Sequence, residues 1–169
     1  MSRNQGDAAP TPASGWLDAE EQRAWLAYIR VRLRLTYEMN RQLQADSELS
    51  LADYDVLAAL SASAHGRMPI TALAANIGWE RSRLSHHVRR MARRNLVDCV
   101  SSDSDRRVTD VTLSATGRHA IAAAAPGHVE LVKRMFFDGI PRELLGPLAE
   151  ALEGAYRELI EKGTLPPPS

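Results

Sequence analysis

The sequence predicts a mainly α-helical protein: a helix-turn-helix, followed at once by a two-stranded hairpin, held between long helices near both ends. Three observations point that way. Two apolar-striped segments flank Gly78, a residue that takes positive φ in a tight turn. Two short apolar runs, 96–101 and 108–113, enclose a polar, charged loop. Ala and Leu recur at helical spacing elsewhere, in a chain of 169 residues that is 44% apolar but only 5% aromatic, so small and aliphatic side chains do most of the packing.

Residues 1–15, polar and with two each of Pro, Ser and Gly, read as a disordered arm. Asp18 is a natural N-cap for a helix reaching about Gln44, in which Trp25, Ile29, Arg32, Leu33 and Thr36 share a helical spacing. A helix that long cannot bury itself in a small lobe, so a partner helix is expected. Ser50, with Asp53 three residues later, caps a second helix whose face carries Tyr54, Leu57, Ala58 and Leu60, and His65, Gly66 and Arg67 break it. Pro69 and Thr71 open a short helix bearing Ile70, Leu73, Ala74 and Ile77. Gly78 ends it, and a further helix covers residues 80–94 up to Asn95.

The hairpin follows, with Leu96, Val97 and Val100 in its first strand and Val108, Val111 and Leu113 in its second. Ser114 caps a fifth helix, Ala-rich over 120–125, with a kink expected at Pro126 and Gly127. Pro141 suits the first turn of a last helix, striped by Leu144, Leu148, Ala151, Leu152, Ala155 and Leu159. Residues 163–169, with Pro166, Pro167 and Pro168, read as a disordered tail.

The net charge is zero, yet it is unevenly placed. From Gly66 to Ala120 there are ten Arg and five acidic residues, a local balance of +5. Between Arg81 and Arg94 there are six Arg and no Asp or Glu. A basic patch on a neutral protein is the electrostatic footprint of nucleic-acid binding.

Projected at about 100° per residue, the helix over 80–94 turns Leu84, Val88 and Met91 inward, with His87 near that side. Ser82, His86, Arg89 and Arg93 point outward, flanked by Arg83, Ser85 and Arg90. Arg pairs two donors with guanine O6 and N7, and Ser and His reach base edges or phosphates. The candidate groove contacts are therefore Ser82, Arg83, Ser85, His86, Arg89 and Arg90, the N-terminal ones favoured for bases. Arg93 and Arg94 are expected to meet only phosphate or solvent. In the hairpin loop, Arg106 and Arg107 suit an adjacent minor groove, and Asp105 is placed to brace Arg107 by a charge-assisted pair. The partner so implied is double-stranded DNA.

Other chemistries find little support. There is no nucleophile elbow, phosphate-binding Gly loop or metal motif, so no enzyme, cofactor or metal is expected. The single cysteine, Cys99, allows no internal disulfide and suits a reducing cytoplasm; on a strand it is expected to be a small buried core thiol. No apolar run approaches the roughly 20 residues of a membrane span, and the N-terminus lacks a signal-peptide core. Trp25, Tyr28, Arg32, Tyr54 and His128 come from helices that would line a ligand cleft, but such residues are more often packing than ligand contacts, and no ligand site is assigned. The competing reading is a helical interaction module whose Arg-rich face meets an acidic protein. An Arg-tipped hairpin serves no purpose there, and that favours DNA.

Taken together, these segments resemble the MarR family of winged helix-turn-helix regulators. Residues 70–74 through Gly78 look like its first helix-turn-helix segment, and Arg81-Ser82-Arg83-Leu84-Ser85-His86-His87-Val88 like its recognition helix. Asp105-Arg106-Arg107, then Val111, Leu113, Ser114 and Gly117, is similar to its wing signature, with Ser114 where Thr is usual; both residues cap helices. The resemblance implies a homodimer, its lobe built from residues 16–48 and 115–162, with residues 49–114 as the DNA-binding lobe. It further implies binding to a palindromic operator with half-sites about one DNA turn apart; a repressor is the expected role, although the sequence does not itself separate repression from activation. A small aromatic or phenolic effector in the cleft between lobes would release the DNA. Arg107 would be the minor-groove residue and Asp105 its brace.

Overall fold

The computed structural model describes residues 15–101 and 109–168. Helix α1 (Ala19–Ser47) opens on a capping box. Asp18 accepts from the Glu20 and Glu21 amides at 2.8 Å, and the Glu21 carboxylate accepts from the Asp18 amide at 2.9 Å. Helix α2 (Leu51–Ala62) repeats the device with Ser50 and Asp53. After a 3-10 turn over Ala64–Gly66 come strand β1 (Arg67–Pro69), α3 (Ile70–Asn76) and α4 (Arg81–Arg93). Gly78, at φ 68°, makes the turn between α3 and α4, and Asn95, at φ 57°, ends the stretch after α4.

Strands β2 (Val97–Ser101) and β3 (Thr109–Leu113) form the expected antiparallel hairpin, pairing Val97 with Leu113 and Ser101 with Thr109. The sheet has three strands rather than two, in the order β1-β3-β2, because Arg67, Met68 and Pro69 pair with Thr112, Val111 and Asp110. Proline is tolerated on this edge strand, where one side of the backbone has no ladder to join. The two guanidinium contacts from Arg67 to Asp110 Oδ2, at 2.7 and 2.8 Å, fasten β1 to β3.

Helix α5 (Ala115–Met135) is capped by the Ser114 hydroxyl, which accepts from the Gly117 amide at 2.9 Å. Pro126 and Gly127 sit inside this helix without interrupting it. At Gly127 a Cβ would stand 3.1 Å from the Gln42 side chain of α1, so the small residue marks where the two helices cross. The last helix starts later than expected: Arg142–Leu144 forms a 3-10 turn after Pro141, and α6 runs Leu145–Lys162.

The fully buried side chains include Leu43, Leu49, Val56, Leu57, Leu60, Leu73, Leu84, Val88, Met91, Val97 and Val111. Apart from Leu43 at the end of α1, all belong to residues 49–111, so the core lies under the helix-turn-helix and the sheet. The long helices are different. Leu43 is the sole buried residue of α1, and α6 has none. Trp25 (53% exposed), Leu33 (58%), Tyr37 (61%) and Leu159 (68%) show how much apolar surface they leave open. Exposed apolar side chains recurring along both helices are the kind of surface that a partner covers.

Cys99 departs from expectation. Its side chain is exposed, not buried in the core. The sheet order puts β2 on an edge, and past Val97 every residue of that strand is exposed. Partial desolvation and the neighbouring Asp98 push the thiol pKa up, against the pull of Arg89.

Candidate DNA interface

Helix α4 is strongly two-sided. Leu84, Val88 and Met91 are fully buried and hold it on the core, while Arg81, Ser82, Arg83, His86, Arg89, Arg90 and Arg93 are exposed. Ser85 is half-buried, and its hydroxyl donates to the Arg81 carbonyl one turn back at 2.8 Å. Five of the six candidate groove residues are thus presented on one exposed face, and Ser85 sits at its margin.

That face is built on a polar scaffold. Asp53 of α2 is buried (4% exposed) and gathers three donors. Its Oδ2 accepts from the Ser50 amide at 3.0 Å and from Arg94 Nη1 at 2.8 Å. Its Oδ1 lies 3.0 Å from His87 Nε2, a close polar contact set off the direction of a straight hydrogen bond. Burial acts to raise the Asp53 pKa, but His87, Ser50 and Arg94 outweigh it and hold the carboxyl well below the usual carboxylate range. Arg94 also donates to the Glu48 carbonyl at 2.6 Å. It is therefore turned back onto the junction of α1 and α2, and not outward to phosphate as its place in the sequence suggests.

The other face of His87 leads toward the exposed surface. Its ring meets Trp79 edge-on, with centroids 5.3 Å apart, and its Nδ1 lies 2.9 Å from Arg90 Nη2. The Arg83 guanidinium stacks on Trp79, 3.9 Å from the ring centroid. Trp79, Arg83, His86, His87 and Arg90, with Ser50 and Ala52 of α2, enclose an open cavity of about 320 Å³. Two of the exposed arginines are therefore oriented by the protein itself. Trp79 escapes a reading by sequence pattern, and Asp53 reads there only as part of a helix cap. The available signal was His87, a polar residue on the buried side of its helix, which requires a partner.

Asp105, Arg106 and Arg107 lie outside the described residues; the hairpin is described up to Ser101 and from Thr109. Four of the five residues considered for a ligand cleft form two separate ring pairs: Trp25 with Tyr28 at 5.5 Å, and Tyr54 with His128 at 4.3 Å. Among the described residues no group of His, Cys, Asp or Glu could hold a metal ion, and no helix is long and apolar enough to cross a membrane.

Neither a scan against protein-family models nor a search of curated proteins finds a match. Solved structures do match. AbsC, a MarR family transcriptional regulator from Streptomyces coelicolor, is 36% identical, with a TM-score of 0.81 over 86% of this chain and 98% of that one. The chain belongs to the MarR family of transcriptional regulators. A second MarR regulator of the same organism, Sco3205, solved in complex with DNA, is 34% identical, with a TM-score of 0.84 over 90% of this chain and 99% of that one. CouR from Rhodococcus jostii RHA1, solved with p-coumaroyl-CoA, shares the MarR fold at 22% identity and a TM-score of 0.70, over 82% of this chain and 95% of that one.

Proposed function

We propose that this MarR protein is a sequence-specific DNA-binding repressor that acts as a homodimer on a palindromic operator. The observation that carries the reading is the exposed face of α4, where Ser82, Arg83, His86, Arg89 and Arg90 stand clear of a fully packed core. Ser85 joins them at the margin. The hairpin supplies the second contact, with Arg106 and Arg107 in the minor groove and Asp105 bracing Arg107. The DNA complex of Sco3205 supports the same use of this fold.

The homodimer reading rests on exposed apolar surface: no residue of α6 is fully buried within its own chain, and α1 exposes Trp25, Val31, Leu33 and Tyr37. The dimerisation lobe is assigned to residues 16–48 and 115–162, and the DNA-binding lobe to 49–114. Release by a small aromatic or phenolic effector is the regulatory half of the proposal, supported by the ligand in CouR. The cytoplasm is the compartment where such a repressor meets DNA.

The test is a footprint over the intergenic DNA beside the gene, at low salt and without effector. A protected palindrome with half-sites about one helical turn apart is expected; absence of any protected palindrome refutes the reading. Affinity should fall steeply with salt, as counterion release requires. A protein-interaction module would show neither protection nor that slope.

A further inference from the structure

We propose that His87 is a positioning residue, a buried acceptor that presents Arg90 to DNA in a fixed orientation. The proposal rests on the DNA-binding reading above and deepens it. The first step is an argument about protons. A guanidinium has five donors and no acceptor, so the 2.9 Å contact between Arg90 Nη2 and His87 Nδ1 requires a lone pair on Nδ1. The ring proton then sits on Nε2, facing the Asp53 carboxylate 3.0 Å away. Asp53 thereby selects the one neutral tautomer that can hold Arg90. This is the general logic of a carboxylate orienting an imidazole.

The second step concerns freedom of movement. His87 is 7% exposed and wedged between Asp53, the Trp79 ring and its own helix, so it cannot follow a moving guanidinium. Asp55 of α2 also acts electrostatically on it, and Arg94 shares Asp53 with it. Arg90 is exposed on the α4 surface, where an unheld side chain of its length samples many rotamers. Ordering such a chain on binding is unfavourable, and an acceptor already in place removes much of that penalty. Arg83 is held in a comparable way on Trp79, so the two arginines flank the cavity in defined positions.

The experiment is a double-mutant cycle on the duplex recovered from the footprint, with poly(dI-dC) as the non-specific probe. The variants are H87Q, R90A and the pair, each checked for folding by thermal melting. Gln reaches toward Asp53 but leaves Nδ1 without a replacement. H87Q is expected to weaken operator binding about 3- to 10-fold, the range set by ordering one long side chain, and to have no further effect once Arg90 is Ala.

H87N is the second variant. Its shorter amide places an oxygen near the Nδ1 position, and it is expected to restore wild-type affinity. Equal loss from H87Q in both backgrounds would show a merely structural role and overturn the proposal. So would a folded H87N that binds as weakly as R90A, or an R90A that weakens binding while H87Q does not. Unchanged binding by R90A would instead remove Arg90 from the DNA interface and strike at the underlying reading.

Discussion

Replacing Asp53 by Asn tests the scaffold beneath α4. The carboxylate accepts from the Ser50 amide at 3.0 Å and Arg94 at 2.8 Å, and faces His87 at 3.0 Å, almost wholly out of water. Asparagine keeps one acceptor oxygen, which can serve Ser50 and Arg94. Its NH2 then points at His87 Nε2 and forces the opposite tautomer. A hydrogen bond to a charged group contributes about 1.5–3 kcal/mol, a neutral one about 0.5–1.5. Neutralising Asp53 weakens the contacts to Ser50 and Arg94, and the opposite tautomer breaks the one between His87 Nδ1 and Arg90, so about 2–4 kcal/mol of stability should be lost. Outright removal of one partner from a buried pair costs about 3–5 kcal/mol.

For a chain of this size that loss lowers Tm by about 4–16 °C. Calorimetry at fixed protomer concentration measures it, since dimerisation couples concentration to Tm. The pH dependence has a definite sign. The folded Asp53 pKa is depressed, so its contribution is complete above the unfolded carboxylate value of about 3.9 and fades as pH falls from there toward the folded value. The gap between wild type and D53N must therefore narrow in acid. A gap below about 0.5 kcal/mol at neutral pH, the size of an ordinary surface substitution, would refute the reasoning. So would a gap that ignores acid.

Other outcomes follow from the proposed DNA interface and from the fold. Arg107→Ala should weaken operator binding and leave the dimer intact by sedimentation. Arg83→Ala should relax base preference at one operator position by about 1–3 kcal/mol, measured by binding to a set of mutated duplexes. Gly117→Ala should destabilise strongly, because a Cβ there would stand 2.0 Å from the Leu96 carbonyl oxygen; overpacking of this kind costs about 1–3 kcal/mol or more, read from denaturant unfolding. Cys99, though exposed, should be alkylated at neutral pH more slowly than a free cysteine, because its raised pKa leaves little thiolate.

Much of the fold was legible because its signals are local. Asp18, Ser50 and Ser114 each sit at a helix start and cap it, and Gly78 takes the positive φ that the tight turn needs. The buried row of Leu84, Val88 and Met91 follows from helical period alone. What escaped was non-local. Arg67–Pro69 has no strand pattern of its own and becomes a strand by pairing with residues more than forty positions later. Asp53 reads as a cap, and only the fold brings Arg94 to it across 41 positions. Cys99 looked like a core residue because alternation assumes a covered face, whereas β2 lies on an edge.

The contact at Gly117 has a mechanical meaning. Leu96 receives the Ser114 amide at 3.3 Å, and its own amide donates to Met91 of α4 at 3.1 Å. The end of α4, the root of the hairpin and the start of α5 therefore meet backbone to backbone, with the Leu96 carbonyl directly against Gly117. From that pivot α5 extends through 21 residues, a rod of about 30 Å at 1.5 Å per residue. A tilt of roughly 4° at the pivot moves the far end by about 2 Å over that length. Small displacements among the long helices would thus reach the hairpin as rotation, geared down but hardly absorbed.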